Sequence, residues 1–184
     1  MAGSKPAKPR VIVIMGVSAS GKTSVGQALA ERLDCTFEEG DDLHPAGNIA
    51  KMKAGHPLDD ADRVPWLDAV ARWIERQLAT GQCGVISCSA LKRSYRDRLR
   101  EADADIGFIL MDPDPETLRR RLTKRVDHFM PPALLASQLA TLERPGPDER
   151  ALRLSSDEGI ADNVAVIVRW LSRDDGPDRT AAAD

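Results

Sequence analysis

Gly16 to Thr23 reads GVSASGKT, set between the apolar run VIVIM and the stretch SVGQALAERL. It fits the spacing G-x-x-x-x-G-K-[ST]. Small residues let the backbone wrap closely around an anion, so that successive N–H groups point inward. A helix beginning at Lys22 presents its positive end to the same anion. Lys22 adds a point charge near the β- and γ-phosphates, and Thr23 offers a hydroxyl to Mg²⁺. A glycine-rich turn with a coincidental lysine is the bland alternative. The apolar run before the loop and the amphipathic stretch after it supply the strand and helix this chemistry needs, which points to a nucleoside triphosphate site.

The rest of the chain repeats the alternation. Val11–Met15 is continuous and rich in β-branched residues, as in a strand covered on both faces. Val25, Leu29 and Leu33 recur at helical spacing. The pattern predicts further strands at 36–39, 85–88, 106–111 and 152–154. It predicts helices at 46–53, 64–79, 91–102, 115–124, 135–142 and from Ile160 to Leu171. Strands alternating with helices imply a parallel sheet with helices on both faces, with ligands bound at the carboxyl ends of the strands. Residues 1–9 read as a flexible arm, 10–172 as one folded domain and 173–184 as a polar tail.

A net charge of −3 argues against a dedicated nucleic-acid binder. The three cysteines match no zinc spacing and read as free thiols in a reducing compartment. A polar beginning, and an apolar run of about five residues against the roughly twenty of a membrane span, give a cytoplasmic expectation without membrane contact.

Four segments fall beside the phosphate loop. In EEGDDLHPAGNIAKM, Asp41 is a candidate base for a hydroxyl proton and Glu39 a candidate Mg²⁺ partner through water. Equally, Asp41 or Asp42 could cap a helix. His44 and Asn48 suit a polyol, although a surface loop also explains His44. In GHPLDDADRVPWL, Asp59 or Asp60 looks like a helix cap with Asp62 in the first turn, and Arg63 has the planar fork that grips a carboxylate. Trp66 and Trp73 read as core or cleft wall. In CSALKRSYRDRLR, Ser89 faces the expected pocket, and Lys92 and Arg96 bring charge, or else form part of a solvated helix face. The run RRRLTKRVDHFMPP reads as a lid at 121–133, with Arg121 and Arg125 on one face. A plain charge run is the alternative.

Together, GVSASGKT, GDDLHPAGNIAKMKAGHPLDDADRVPWL, CSALKRSYRDRLR and the HF at 128–129 strongly resemble the gluconokinase family, from about Val11 to Trp170. The resemblance implies the α/β fold of P-loop NTPases: a three-layer αβα sandwich on a five-stranded parallel sheet, like nucleoside-monophosphate and shikimate kinases. It implies a substrate-binding helical segment at about 42–80 and a lid. It further implies ATP and Mg²⁺ as cofactors, gluconate as the small-molecule substrate, and a homodimer. Carried over by position, Gly16, Val17, Ser18, Ala19, Ser20, Gly21, Lys22, Thr23 and Ser24 hold the nucleotide, with Arg121 and Arg125 from the lid. Asp41, His44, Asn48, Lys51, Arg63, Ser89 and Arg96 line the sugar-acid pocket. Lys22, Asp41 and Arg125 are the catalytic expectation. Thr23, and Glu39 through water, serve the metal.

Two positions depart from the family. Ala19 stands where many relatives have glycine, which is tolerable if its φ stays negative. Glu39 stands where aspartate is common. Rival readings are a kinase for shikimate, another polyol acid or a nucleoside monophosphate, and a nucleotide-dependent switch. An adenine pocket is expected near 157–163 by analogy of fold.

Overall fold

A computed structural model describes residues 11–102, 106–124, 132–155 and 158–173. The expected arm, the tail after 173 and positions 125–131 of the expected lid lie outside them.

β1 (Val11–Met15) runs through the middle of the sheet with every residue buried. Side chains alternate along a strand. Val11, Val13 and Met15 therefore enter one core, and Ile12 and Ile14 the other. Two buried faces are why the run carries no polar residue. Each such side chain contributes about 1.5–3 kcal/mol by leaving water. β2 (Thr36–Glu39), β3 (Gly84–Ser87), β4 (Gly107–Met111) and β5 (Ala151–Leu154) complete a parallel sheet of five strands in the order β2-β3-β1-β4-β5.

α3 (Asp60–Thr80) and α4 (Arg93–Arg100) cover one face through Trp66, Val70, Trp73, Ile74, Tyr95 and Leu99. α1 (Lys22–Leu33) and α7 (Ile160–Leu171) cover the other through Val25, Leu29, Val164 and Ile167. α2 (Ala46–Lys53), α5 (Pro115–Lys124) and α6 (Pro132–Thr141) gather near the carboxyl ends of the strands. After β1 the chain moves outward to β2 and back through β3, then crosses to β4. The phosphate loop sits at that reversal, where open parallel sheets bind ligands.

Local chemistry moved several expected boundaries. α3 starts at Asp60, ahead of the periodic stripe that begins at Val64 and as the cap reading of Asp59 expected, because Asp59 and Asp62 form a reciprocal capping box at 2.8 and 2.9 Å. α4 starts at Arg93, not Leu91. Lys92 is extended, with φ −97° and ψ 151°, so it stands as the N-cap and the helix begins only after it.

The cysteine expectation is corrected. Cys35 and Cys83 form a disulfide with their Cα atoms 4.9 Å apart, and only Cys88 is free. The β2–β3 register pairs Thr36 with Gly84, which sets the preceding residues side by side. A separation of 48 in sequence hid this neighbourhood. The thiol argument for a reducing compartment therefore fails for two of the three cysteines. Burial pushes the Cys88 thiol up to about 12, so it is inert.

Candidate active site

The phosphate loop is held from below. Gly16 has φ 134°, and a Cβ there would lie 2.5 Å from the Met111 carbonyl oxygen, so only glycine fits. Its N–H donates to the Ser89 carbonyl at 3.2 Å. Lys22 Nζ donates to the Val17 carbonyl at 2.8 Å, lying along the loop it serves. Val17 and Ser20, two of the expected nucleotide residues, do not line the cavity beside the loop. Val17 packs in an apolar cluster and Ser20 is buried. Arg121 Nη1 donates to the Ser20 carbonyl at 3.1 Å, which sets a guanidinium from α5 against the loop. Arg125 lies outside the described residues.

Ala19 departs from the condition stated for it: its φ is 62°, in the left-handed region. That conformation costs a non-glycine residue about 1–2 kcal/mol. The methyl is buried with Val17, Leu91, Leu118 and Leu135, worth about 0.8 kcal/mol. Glycine would also raise the chain entropy of the unfolded state by about 0.4–1 kcal/mol. These terms nearly cancel. Ala19→Gly is therefore expected to change unfolding stability by less than about 1 kcal/mol in urea denaturation. A larger gain would mean that the methyl contributes nothing.

A cavity of about 610 Å³ opens above the loop. Ser18, Ala19, Gly21, Lys22, Thr23 and Ser24 form one wall. Asp41, Asp42, His44, Arg63, Trp66 and Ser89 line the same cavity. Gly40 makes this approach possible, since a Cβ there would lie 2.0 Å from the Ser87 carbonyl oxygen. Its N–H donates to Ser87 Oγ at 3.2 Å, and its carbonyl accepts from Trp66 Nε1 at 2.8 Å. Asp41 follows in a 3-10 turn, Gly40–Leu43, at the sheet edge.

Glu39 ties the first turn of α1 to the end of β3. One carboxylate oxygen accepts from Thr23 Oγ1 at 2.6 Å and the other from Ser87 Oγ. A hydroxyl and a carboxylate side by side are hard oxygen donors. They fit Mg²⁺, which takes one or two protein groups and fills its shell with water and phosphate oxygens. No group of three or more His, Cys, Asp or Glu side chains able to hold a metal ion by themselves is present among the described residues.

His44 stacks on Trp66, with ring centroids 4.3 Å apart and planes 12° apart. Burial holds its pKa down to about 4 from 6.5, helped by Arg63 and opposed by Asp41. His44 is therefore neutral near pH 7. Asn48 Nδ2 lies 3.3 Å from Nδ1, which makes that nitrogen the acceptor. The ring resonances are expected to titrate near pH 4 in an NMR pH series rather than near 6.5. The folded pKa is the lower one, so the unfolded chain binds more protons between these values. The His44 contribution is full above pH 6.5 and is lost as pH falls toward 4. His44→Gln should flatten that part of the stability profile.

Three expected pocket residues lie elsewhere. Arg96 is fully buried in a fork with Glu149, at 2.6 and 2.8 Å, and donates to the Ala90 and Glu143 carbonyls at 3.2 and 2.9 Å. Its donors are spent on protein, so it braces the loop after β3 instead of binding a sugar acid. Lys51 pairs with Asp62 at 2.5 Å and leans toward Asp59 at 3.7 Å, locking α2 to the cap of α3; Lys53 lines the cavity instead. Asn48 is buried and donates to the Asp62 carbonyl at 2.8 Å, supporting His44 from behind.

Other wall residues were not anticipated. Ile49, Met52, Pro57 and Leu58 come from the segment after β2, and Leu134, Ser137 and Gln138 from α6. The sole sequence signal for the α6 group is a Ser-Gln pair inside an apolar helix. Periodicity alone reads that pair as an exposed face.

A phosphate loop facing an acidic and hydrogen-bonding wall, on this parallel sheet, defines a P-loop kinase. The family model described as an AAA domain matches residues 11–145. A gluconokinase of Gluconobacter oxydans is 52% identical over 168 residues, covering 91% of this chain and 94% of that one. The crystal structure of a gluconokinase from Sinorhizobium meliloti superposes with a TM-score of 0.80 at 45% identity, covering 91% and 94% of the two chains. A shikimate kinase from Aquifex aeolicus shares the fold, with a TM-score of 0.56 at 14% identity over 88% of this chain and 95% of that one. The chain belongs to the gluconokinase family.

Proposed function

We infer that the protein transfers the γ-phosphoryl group of ATP to D-gluconate, giving 6-phospho-D-gluconate and ADP. The observation that carries this reading is the shared cavity, in which Lys22 and Thr23 face Asp41, His44, Arg63 and Ser89. Phosphoryl transfer is mostly positioning and charge compensation. The loop N–H groups and Lys22 hold the β- and γ-phosphates, with Arg121 at the loop edge. Thr23, and Glu39 through water, would hold Mg²⁺, which when bound would neutralise phosphate charge. Asp41 takes the proton of the attacking hydroxyl.

Gluconate has one carboxylate and five hydroxyls. Arg63 suits the carboxylate. It donates to Tyr95 Oη at 3.4 Å and borders the cavity. Neutral His44 and the Ser89 hydroxyl suit sugar hydroxyls. The segment 42–80 is the acceptor-binding part. A cytoplasmic location and a homodimer belong to the same reading, the second checked by light scattering.

The test is ADP release from Mg-ATP with D-gluconate, shikimate, glucose, AMP or no acceptor. Release with gluconate alone is expected. Release with another acceptor would keep the kinase and discard the pocket assignment. Acceptor-independent release would favour a nucleotide switch.

A further inference from the structure

α6 touches both halves of the cavity. Leu134 packs with Met52 and Leu58 of the acceptor-binding segment. Gln138, four residues on and so on the same helix face, accepts the Ser18 N–H through Oε1 at 2.6 Å. Leu135 joins Val17 and Ala19 of the phosphate loop, with Leu91 and Leu118. Leu134 and Gln138 also line the cavity, as does Ser137 between them. A rigid helix keeps these contacts together only while the two halves hold one separation. A ligand that fixes either half favours that separation for the other, and such coupling is reciprocal.

We propose that Gln138 is a positioning residue that couples acceptor binding to the phosphate loop, through its hydrogen bond to the Ser18 amide. The bond is directional and short, and it fixes the backbone of the third loop residue. The methyl of Ala19 lies in the apolar cluster that holds Leu135 of the same helix. Leu134 carries the other end of the link. Gln138 itself performs no chemistry: it sets the loop that Lys22 and Thr23 depend on. The inference rests on gluconate as the acceptor.

Calorimetry on the full chain tests it. The Kd of a non-hydrolysable ATP analogue with Mg²⁺ is measured with and without saturating gluconate, after gluconate binding has been measured alone. The wild type is expected to bind the analogue at least about five-fold tighter with gluconate, the low end of typical coupling. Gln138→Leu keeps the bulk without the acceptor oxygen, and should bring the factor within about two-fold of one. Gln138→Glu keeps the oxygen and should retain the factor, with weaker analogue binding in both states from its added charge. Leu134→Ala should lose the factor from the other end. An unchanged factor in Gln138→Leu would overturn the proposal, as would independent binding of the two ligands in the wild type. Failure of gluconate to bind at all would instead fell the acceptor assignment, and this coupling with it.

Discussion

Asp41→Asn is expected to lower gluconate phosphorylation by about 10²–10⁴-fold, the usual worth of a positioned base. Asparagine keeps the size and a carbonyl oxygen but cannot take a proton. The Kd for the ATP analogue should change little, because Asp41 belongs to the turn after β2 and not to the phosphate loop. Steady-state kcat and calorimetry check the two halves of this statement. Turnover within a few-fold of wild type would remove the base assignment and leave positioning and charge to carry the reaction. Lys22→Ala gives the contrast. It should lose turnover by orders of magnitude and weaken nucleotide binding as well, since its ammonium lies along the loop itself.

Arg96→Ala is expected to destabilise the fold by about 3–5 kcal/mol, the cost of stranding a buried partner. For a chain of this size each kcal/mol moves Tm by about 2–4 °C, so calorimetric unfolding should shift by roughly 6–20 °C. Glu149 would be left in a site where both side chains are fully enclosed. Arg96→Met with Glu149→Leu should recover much of the loss, because two apolar side chains leave no orphan charge. Acid supplies an independent check. Burial pushes the Glu149 carboxyl up, but the Arg96 fork, the Gly146 N–H and Arg100 outweigh it and hold the pKa below its usual 4.5. Its contribution is present above that value and is lost as pH falls through the folded pKa. The double variant should lack that acid-dependent loss. A residue of the acceptor pocket would behave differently, raising KM for gluconate at unchanged Tm.

Much of this molecule was legible from its residues. Helix α2 over 46–53, β2 over 36–39 and α5 over 115–124 fall where periodicity puts them, because each is governed by local preference. The phosphate loop was legible for the same reason: its chemistry is backbone chemistry, written in small residues between a strand and a helix. Asp41, His44 and Ser89 reach the cavity because they closely follow strand ends, and Arg63 reaches it from the first turn of α3. Arg96 misled because charge suggests a pocket, whereas the partner that consumes that charge, Glu149, sits 53 residues away. Lys51 misled similarly, since its partner Asp62 belongs to the next helix.

The sequence by itself determined the alternation of strands and helices, the anion-binding loop and the family. The first two rest on spacing within a dozen residues, where backbone sterics and hydrophobic periodicity act directly; the family rests on the resemblance of motifs spread from about Val11 to Trp170. Only the tertiary structure decided which charges face the cavity and which neutralise one another. It also decided that Cys35 meets Cys83, that Ala19 is left-handed, and that α6 packs on both the segment after β2 and the phosphate loop. Those outcomes depend on distances between segments far apart in the chain. Such distances are set when two cores close on one sheet, and no local pattern encodes them.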